Sequence, residues 1–114
     1  MKGLTDIPLK ANEKEAILKA KQVLKAKFPV ADVILFGSKA RGDSDPESDI
    51  DLLVLTTRPI EWRERHLIID TLFEIEIEYG VIISIIINTV QEWQDGIFSV
   101  LPIHEEISKE GILI

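Results

Sequence analysis

The chain has 114 residues, of which 46% are hydrophobic and 29% charged, and this balance predicts one folded domain over 1–114 rather than a disordered segment. It contains no cysteine, which excludes disulfide scaffolds, thiol nucleophiles and zinc–cysteine sites. The formal net charge is −7, so the chain lacks the broad basic surface of a duplex-DNA binder.

The first half of the sequence predicts two helical and two extended segments. Asn12 is a good N-cap for the first helix, whose lysines face water, and Pro29 ends it. Gly37 and Ser38 stop a short apolar run that is typical of a strand. The predicted elements are helix 12–27, strand 33–36, helical turns over 38–43, a turn at 43–48 (DSDPES), and a strand over 50–55 that is apolar enough to be buried on both faces.

The second half predicts a longer helix and a third strand. Pro59 suits a helix start and Gly80 suits its end, although the alternating segment EIEIEY at 74–79 leaves a strand open there. The predicted elements are helix 59–79, strand 81–87, a loop with a short helix over 88–98, and a tail ending in an apolar tripeptide. This order predicts a small α/β (α+β) fold with a mixed sheet of three to four strands covered by helices.

Membrane and secretory signals are not visible in the sequence. The longest apolar stretch, 81–87, is interrupted by Ser84 and is far shorter than the ~20 residues that span a bilayer. The first sixteen residues lack the apolar region of a secretory signal. A cytoplasmic protein is therefore expected.

The segment 37–51 contains the residues that could bind an anion and a metal ion. Gly37 lies at the end of a strand, and the amides that follow it begin a helix, which favours an anion. Lys39 and Arg41 add positive charge nearby, and an arginine can bind phosphate oxygens in a bidentate manner. Asp49 and Asp51 are two apart on a strand, so both carboxylates leave the same face.

Two carboxylates at that spacing repel each other unless a cation lies between them. Oxygen ligands of this kind suit Mg²⁺, which uses one or two carboxylates together with waters and substrate phosphates. The glycine-serine turn and the two aspartates can share a triphosphate only if strands 33–36 and 50–55 are antiparallel.

The string GSKARGDSDPESDIDLLV, over 37–54, resembles the minimal nucleotidyltransferases of the DNA polymerase beta superfamily. Their pattern is a glycine-serine pair, about ten residues, and Asp-x-Asp, and this family often serves as antitoxin to helical HEPN proteins. The resemblance implies that Gly37 and Ser38 cradle the β- and γ-phosphates of an NTP, with ATP as the expected nucleotide. It implies that Asp49 and Asp51 bind two Mg²⁺ ions while a hydroxyl attacks the α-phosphate.

The sequence departs from the family at a third carboxylate, which active members carry on a later strand. Ser84 is the only polar residue within the matching strand 81–87, and a hydroxyl is a poorer Mg²⁺ ligand than a carboxylate. A nucleotide-bound metal would survive this change, but the second ion would be weakened. Four acids of the preceding helix are alternatives if the register differs, namely Asp70, Glu74, Glu76 and Glu78.

Three functions follow as hypotheses. The first is nucleoside monophosphate transfer to a hydroxyl of a HEPN-type partner. The second is a catalytically degenerate antitoxin that acts by binding. The third, disfavoured because a single domain offers little acceptor pocket, is modification of a small molecule such as an aminoglycoside.

The remaining features of the sequence are assigned to packing or to the surface, or their role is left open. We expect surface or packing roles for His66 and His104. We expect core or interface positions for Trp62 and Trp93, although either could stack on an adenine. The basic helix over 10–27 is expected to be a solvated amphipathic face, with a partner or RNA surface as the alternative. The apolar end, 112–114, could dock on its own domain or on another chain, and a homo-oligomer stays open.

Overall fold

The computed structural model describes residues 3–43, 45 and 48–114, and within them four strands form one mixed sheet. The helices are α1 Ala11–Lys27, α2 Gly37–Arg41, α3 Trp62–Tyr79, α4 Val90–Asp95 and α5 Pro102–Glu110. The strands are β1 Val30–Phe36, β2 Ile50–Thr56, β3 Ile83–Thr89 and β4 Ile112–Leu113. Single turns of 3-10 helix occupy Leu4–Asp6 and Ile97–Val100.

The strand order is β3-β2-β1-β4. β1 runs antiparallel to both β2 and β4, whereas β2 and β3 are parallel and joined through α3. The central strand β2 is buried along almost its whole length, as its apolar sequence predicts for a strand covered on both faces. The predicted small α/β fold is confirmed.

Two apolar layers hold the sheet. On one face, α1 and α3 pack onto Leu52 and Val54 of β2. On the other face, Trp93 of α4 and Ile107 of α5 pack onto Leu53. Because side chains alternate along a strand, Asp49 and Asp51 lie on the α4–α5 face, beyond the point where that apolar cluster ends.

Several predicted boundaries were wrong. α1 takes Lys10 as N-cap, not Asn12, whose side-chain amide instead donates to the Tyr79 carbonyl 2.9 Å away. α3 begins at Trp62 and includes the alternating segment, so the helical prediction there is confirmed. β1 begins at Val30, while β3 begins at Ile83 and continues to Thr89. Each strand extends as far as its neighbour in the sheet offers hydrogen bonds, which periodicity alone does not show.

The C-terminal region holds more structure than predicted. α5 was missed because its apolar positions are few, although Pro102 occupies its first turn. The apolar tail docks on its own domain, with Ile112 opposite Leu35 of β1. Within 3–43, 45 and 48–114, no helix combines the length and apolar character needed to cross a bilayer. Part of the predicted DSDPES turn, at 44, 46 and 47, lies outside the described residues.

Candidate active site

The glycine-serine turn and the two aspartates meet at one end of the sheet. β1 ends at Phe36, which lies directly opposite Asp51 in the antiparallel pair with β2. Gly37 and Ser38 therefore emerge beside the start of β2 and begin α2. The antiparallel arrangement that a shared ligand requires is the one observed.

Gly37 lies against the carboxylate of Asp51. Its φ is +75°, a left-handed conformation that side chains rarely adopt. A Cβ atom at this position would lie 3.2 Å from Asp51 Cγ and still closer to Oδ2. Both the backbone conformation and the lack of space thus require glycine, and the turn is fixed relative to the acid.

The carboxylates of Asp49 and Asp51 form a pair whose charge is only partly compensated. Burial raises the pKa of Asp51, the nearby charge of Asp49 raises it further, and the charge of Arg41 lowers it in part. Ser84 lies opposite Asp51 in the parallel pair of β2 and β3, and its hydroxyl donates to Asp49 Oδ2 at 3.1 Å. Ser84 is therefore the β3 residue that faces the acid pair, as the predicted register requires.

The donor set suits one hard divalent cation. Two carboxylates and a hydroxyl are oxygen ligands. A cation between the acids would offset the burial that raises the pKa of Asp51 and the further rise caused by the charge of Asp49. Among the described residues, no three His, Cys, Asp or Glu side chains cluster as a metal site. The acids of α3 thus do not complete the pair, and Glu76 instead accepts a hydrogen bond from the Ile83 amide at 3.0 Å.

Lys39 uses its ammonium for an ion pair inside the protein. Its side chain is 2% exposed and forms a buried ion pair with Glu13 of α1. Burial alone would raise the pKa of Glu13, but the hydrogen bond from Lys39, that from the Lys10 amide and the two lysine charges hold it below its usual value. The pair ties α2, and hence the glycine-serine turn, to α1.

Arg41 has a partly exposed side chain, and its charge lowers the pKa of Asp51. Its guanidinium contacts Asp43 at 3.2 Å, Glu110 at 3.3 Å and Glu106 at 3.4 Å. The hydrogen bonds to Asp43 and Glu110 raise the pKa of Arg41. The two α5 acids were missed at the sequence level, where only their spacing of four residues could have pointed to a shared cation.

The histidines and tryptophans lie at two other places in the fold. Trp93 is buried with its ring 4.4 Å from that of His104, and both belong to the α4–α5 side of the fold. Trp62 is exposed at the start of α3, with its ring 5.6 Å from His66. Trp93 is in the core, as expected, and the two histidines are at surface or packing positions. Trp62 is 67% exposed and is therefore not a core residue, and its role at an interface stays a prediction.

Comparison with known proteins identifies the family of this domain. The nucleotidyltransferase domain family matches residues 17–108 of the chain. The chain belongs to that family. A Methanocaldococcus jannaschii protein with the name "putative protein adenylyltransferase" is 32% identical over 102 residues, which make up 88% of this chain and 95% of that protein. A second protein of the same name and organism is 46% identical over 55 residues, covering 48% of this chain and 56% of its own length.

A solved structure shares the fold of this nucleotidyltransferase domain. It is described as the crystal structure of a toxin-antitoxin with AMP-PNP, and it superimposes with a TM-score of 0.59 at 17% sequence identity. The match covers 87% of this chain and 69% of that chain. The predicted polymerase-beta-like nucleotidyltransferase fold is confirmed.

Proposed function

We propose that this nucleotidyltransferase domain binds Mg-ATP and transfers AMP to a hydroxyl group of a HEPN-type helical partner protein, as the antitoxin of a two-component system. The observation that carries the proposal is the convergence of Gly37, Asp49 and Asp51 at one end of the sheet. The name of the M. jannaschii relatives supports a protein acceptor, and the fold neighbour with AMP-PNP supports an adenine nucleotide.

The phosphates would be held by the glycine-serine turn. Gly37 and Ser38 cradle the β- and γ-phosphates, and the backbone amide of Lys39 adds a donor while its side chain anchors α2 to Glu13. Arg41 is the proposed guanidinium ligand. To bind a phosphate, it exchanges its contacts with Glu106 and Glu110 for charge-assisted bonds to the nucleotide.

Asp49 and Asp51 would hold the magnesium, which supplies charge stabilisation to the triphosphate and to the leaving pyrophosphate when bound. The acceptor oxygen forms a bond to the α-phosphorus as the bond from that phosphorus to the β-phosphate oxygen breaks. The hydroxyl proton passes to solvent, and pyrophosphate leaves with the electron pair of the broken bond on its oxygen. Two-carboxylate coordination fixes the nucleotide for this in-line displacement.

Ser84 favours a second candidate function. It stands beside Asp49 and Asp51, where active family members are expected to carry a third carboxylate. With a hydroxyl there, Asp49 and Asp51 would still hold the nucleotide-bound metal, but an ion that activates the acceptor would have one carboxylate ligand fewer. The alternative is an antitoxin that acts by binding its partner, with nucleotide as a structural ligand.

The nucleotide site is tested by calorimetric titration of the full chain with Mg-ATP. We expect Asp49→Asn and Asp51→Asn each to weaken the affinity at least about tenfold, which is ~1.4 kcal/mol, because each removes one carboxylate of the metal site. Asp70→Asn, an exposed acid of α3, is the matched control and should bind as the parent chain does. Equal affinity in all four proteins would refute the metal site.

The transfer reaction is tested by incubating the chain with ATP labelled at the α-phosphate and with its co-encoded partner. Label on the partner that disappears in Asp49→Asn supports AMP transfer. Ser84→Asp should then raise the rate, because it restores a third carboxylate beside Asp49. ATP binding without any label on the partner, in both the parent chain and Ser84→Asp, would exclude transfer and favour the binding antitoxin.

A further inference from the structure

An apolar stripe runs along the exposed side of α3. Trp62, Ile69, Phe73 and Ile77 lie within about 80° of the helix circumference at 3.6 residues per turn. These four side chains are between 44% and 68% exposed. The buried residues of α3, such as Leu72, are on a different side of the helix, so the stripe is a second apolar face and not the margin of the core.

The stripe lies on the same side of the molecule as β3, the edge strand. Glu76 follows Ile69 by seven residues and Phe73 by three, so it shares their side of α3. Its carboxylate accepts from the Ile83 amide of β3. The exposed face of α3 and the outer edge of β3 are therefore neighbours.

In the part of the chain that the structure describes, the outer edge of β3 offers hydrogen-bonding groups without a strand beside them. The sequence ISIIINT of β3 contains no charge and no proline, the usual devices that protect an edge. Because the Ile50 amide donates to the Ile82 carbonyl, the alternation of a parallel ladder turns the odd-numbered residues of β3 outward.

Carboxylates satisfy the amides at both ends of that edge. Glu76 accepts from the Ile83 amide and Glu92 accepts from the Thr89 amide. The amides of Ile85 and Ile87 remain in the middle, and within the described residues no strand pairs with this side of β3.

We propose that β3 and the α3 stripe together form a two-fold interface with a second copy of this chain. The two β3 strands pair antiparallel around Ile86, so that Ile85 and the partner's Ile87 exchange both backbone hydrogen bonds, giving four in all. The sheets join into one of eight strands. The two α3 helices then lie side by side on the same face of that sheet and run in opposite directions.

The positions of the helix contact and of the strand contact are compatible with a single two-fold axis. The midpoint of the stripe, near Ile69, lies about 16 Å along α3 from Gly80 at 1.5 Å per residue. Ile86 lies about 16 Å along β3 from Val81 at 3.3 Å per residue. Since Gly80 and Val81 are adjacent, the centres of the helix contact and of the strand contact are at about the same height.

The charges of α3 favour this antiparallel contact with a second copy. The first half of the stripe is bordered by Arg63 and Arg65 and the second half by Glu74 and Glu76, while Asp70 lies near the centre and would face the partner's Asp70. Opposite directions bring Arg63 to the partner's Glu74 on one border and Arg65 to the partner's Glu76 on the other. Trp62 then meets the partner's Ile77. A parallel contact would instead place like charges together.

Sedimentation of the full chain at micromolar concentrations tests the interface. We expect twice the chain mass of 12.9 kDa. Phe73→Glu should raise the dissociation constant at least about tenfold. Leu18→Glu, an exposed apolar residue on α1 that is 48% exposed, is the matched control and should remain dimeric. A monomer at all concentrations, or a dimer that Phe73→Glu leaves unchanged, would overturn the proposal.

A charge exchange identifies the geometry of the contact. Arg63→Glu and Glu74→Arg should each weaken the dimer, and the double variant should restore it. The two residues are about 16 Å apart within one helix, so such a rescue reports contact between two copies. Ile85→Pro should also weaken the dimer, because it removes an outward amide and spares the β2–β3 ladder. Absence of both the rescue and the proline effect would overturn the two-fold arrangement.

Discussion

The smallest unit that explains the site is the contact of Gly37 with Asp51. The turn needs a left-handed residue, and the acid fills the space where a side chain would be. Because one glycine satisfies both requirements, the glycine-serine turn and the acid pair are held in register without a direct hydrogen bond between them. Gly80 also has a positive φ, but nothing lies within 4 Å of the place where its Cβ would be.

This difference predicts unequal costs for two glycine substitutions. Gly80→Ala should lower the free energy of unfolding by about 1 kcal/mol, from backbone strain alone. Gly37→Ala should lower it by at least ~1 kcal/mol more, because Asp51 must also move. Urea unfolding measures both. Mg-ATP titration should show weaker binding for Gly37→Ala only, and an equal stability loss in the two variants would mean that Asp51 moves aside at no cost.

Residue-scale prediction from the sequence succeeds where geometry is local. The glycine and the acid pair follow from turn conformation and strand alternation, whereas Ser84 was identified from the family pattern as the only polar residue of its strand. The structure brings all of them together. The charge of Lys39 was expected beside the phosphates, but its side chain lies against Glu13, which is 26 residues away in the chain. That contact depends on how α1 packs, which local pattern does not determine.

At the scale of elements, the Glu13–Lys39 pair connects α1 to α2. Both side chains are buried, and Glu13 also accepts from the Lys10 amide at the start of α1. Removing one partner leaves the other charge buried without a counter-charge. Replacing both residues with uncharged side chains of similar volume leaves no buried charge and preserves the packing. The pair therefore sets where α2 lies relative to α1.

We predict that Glu13→Gln lowers the free energy of unfolding by about 3 kcal/mol at neutral pH, because it leaves Lys39 buried without a counter-charge. Gln keeps an oxygen for the Lys10 amide. The double variant Glu13→Gln/Lys39→Met should recover most of the loss. Urea unfolding of the three proteins checks this, and a double variant as unstable as the single one would contradict it.

The same pair predicts a difference in acid stability. The folded-state pKa of Glu13 lies below its ordinary value of 4.5, so its contribution is present above that pH and is lost as the pH falls through the folded value. Between neutral pH and the region below 4.5, the parent chain should lose more stability than the double variant, which has no charge to titrate at either position. Parallel loss in both proteins would show that Glu13 contributes nothing.

The boundaries of elements were harder to predict than their existence. The segment at 74–79 alternates like a strand, yet it is helical because Ile75 and Tyr79 continue the face begun by Ile68 and Leu72. β1 gains three residues at its start, since β2 extends to Thr56 and offers partners there. These additional strand residues depend on pairing with a neighbouring strand, which the sequence of the segment alone does not show.

For the whole molecule, the C-terminal residues complete the sheet. Ile112 is buried against the larger core, and β4 pairs with the outer edge of β1 opposite Ile34 and Leu35. The Ile114 amide also donates to the Val33 carbonyl at 2.9 Å. The tail thus covers one edge of the sheet, while β3 at the other edge is left for the proposed second copy.

Removal of residues 111–114 should therefore destabilise the domain and expose β1. Loss of buried Ile112 costs about 2 to 3 kcal/mol, with a further cost from the backbone bonds to β1. Ile112→Ala retains the backbone and should lose only the side-chain part, whereas Leu113→Ala, at an exposed position, is the control and should change little. Thermal unfolding of the three proteins ranks these costs. If the truncated chain were as stable as Leu113→Ala, the pairing of β4 would contribute nothing to stability, and three strands would be enough for the sheet.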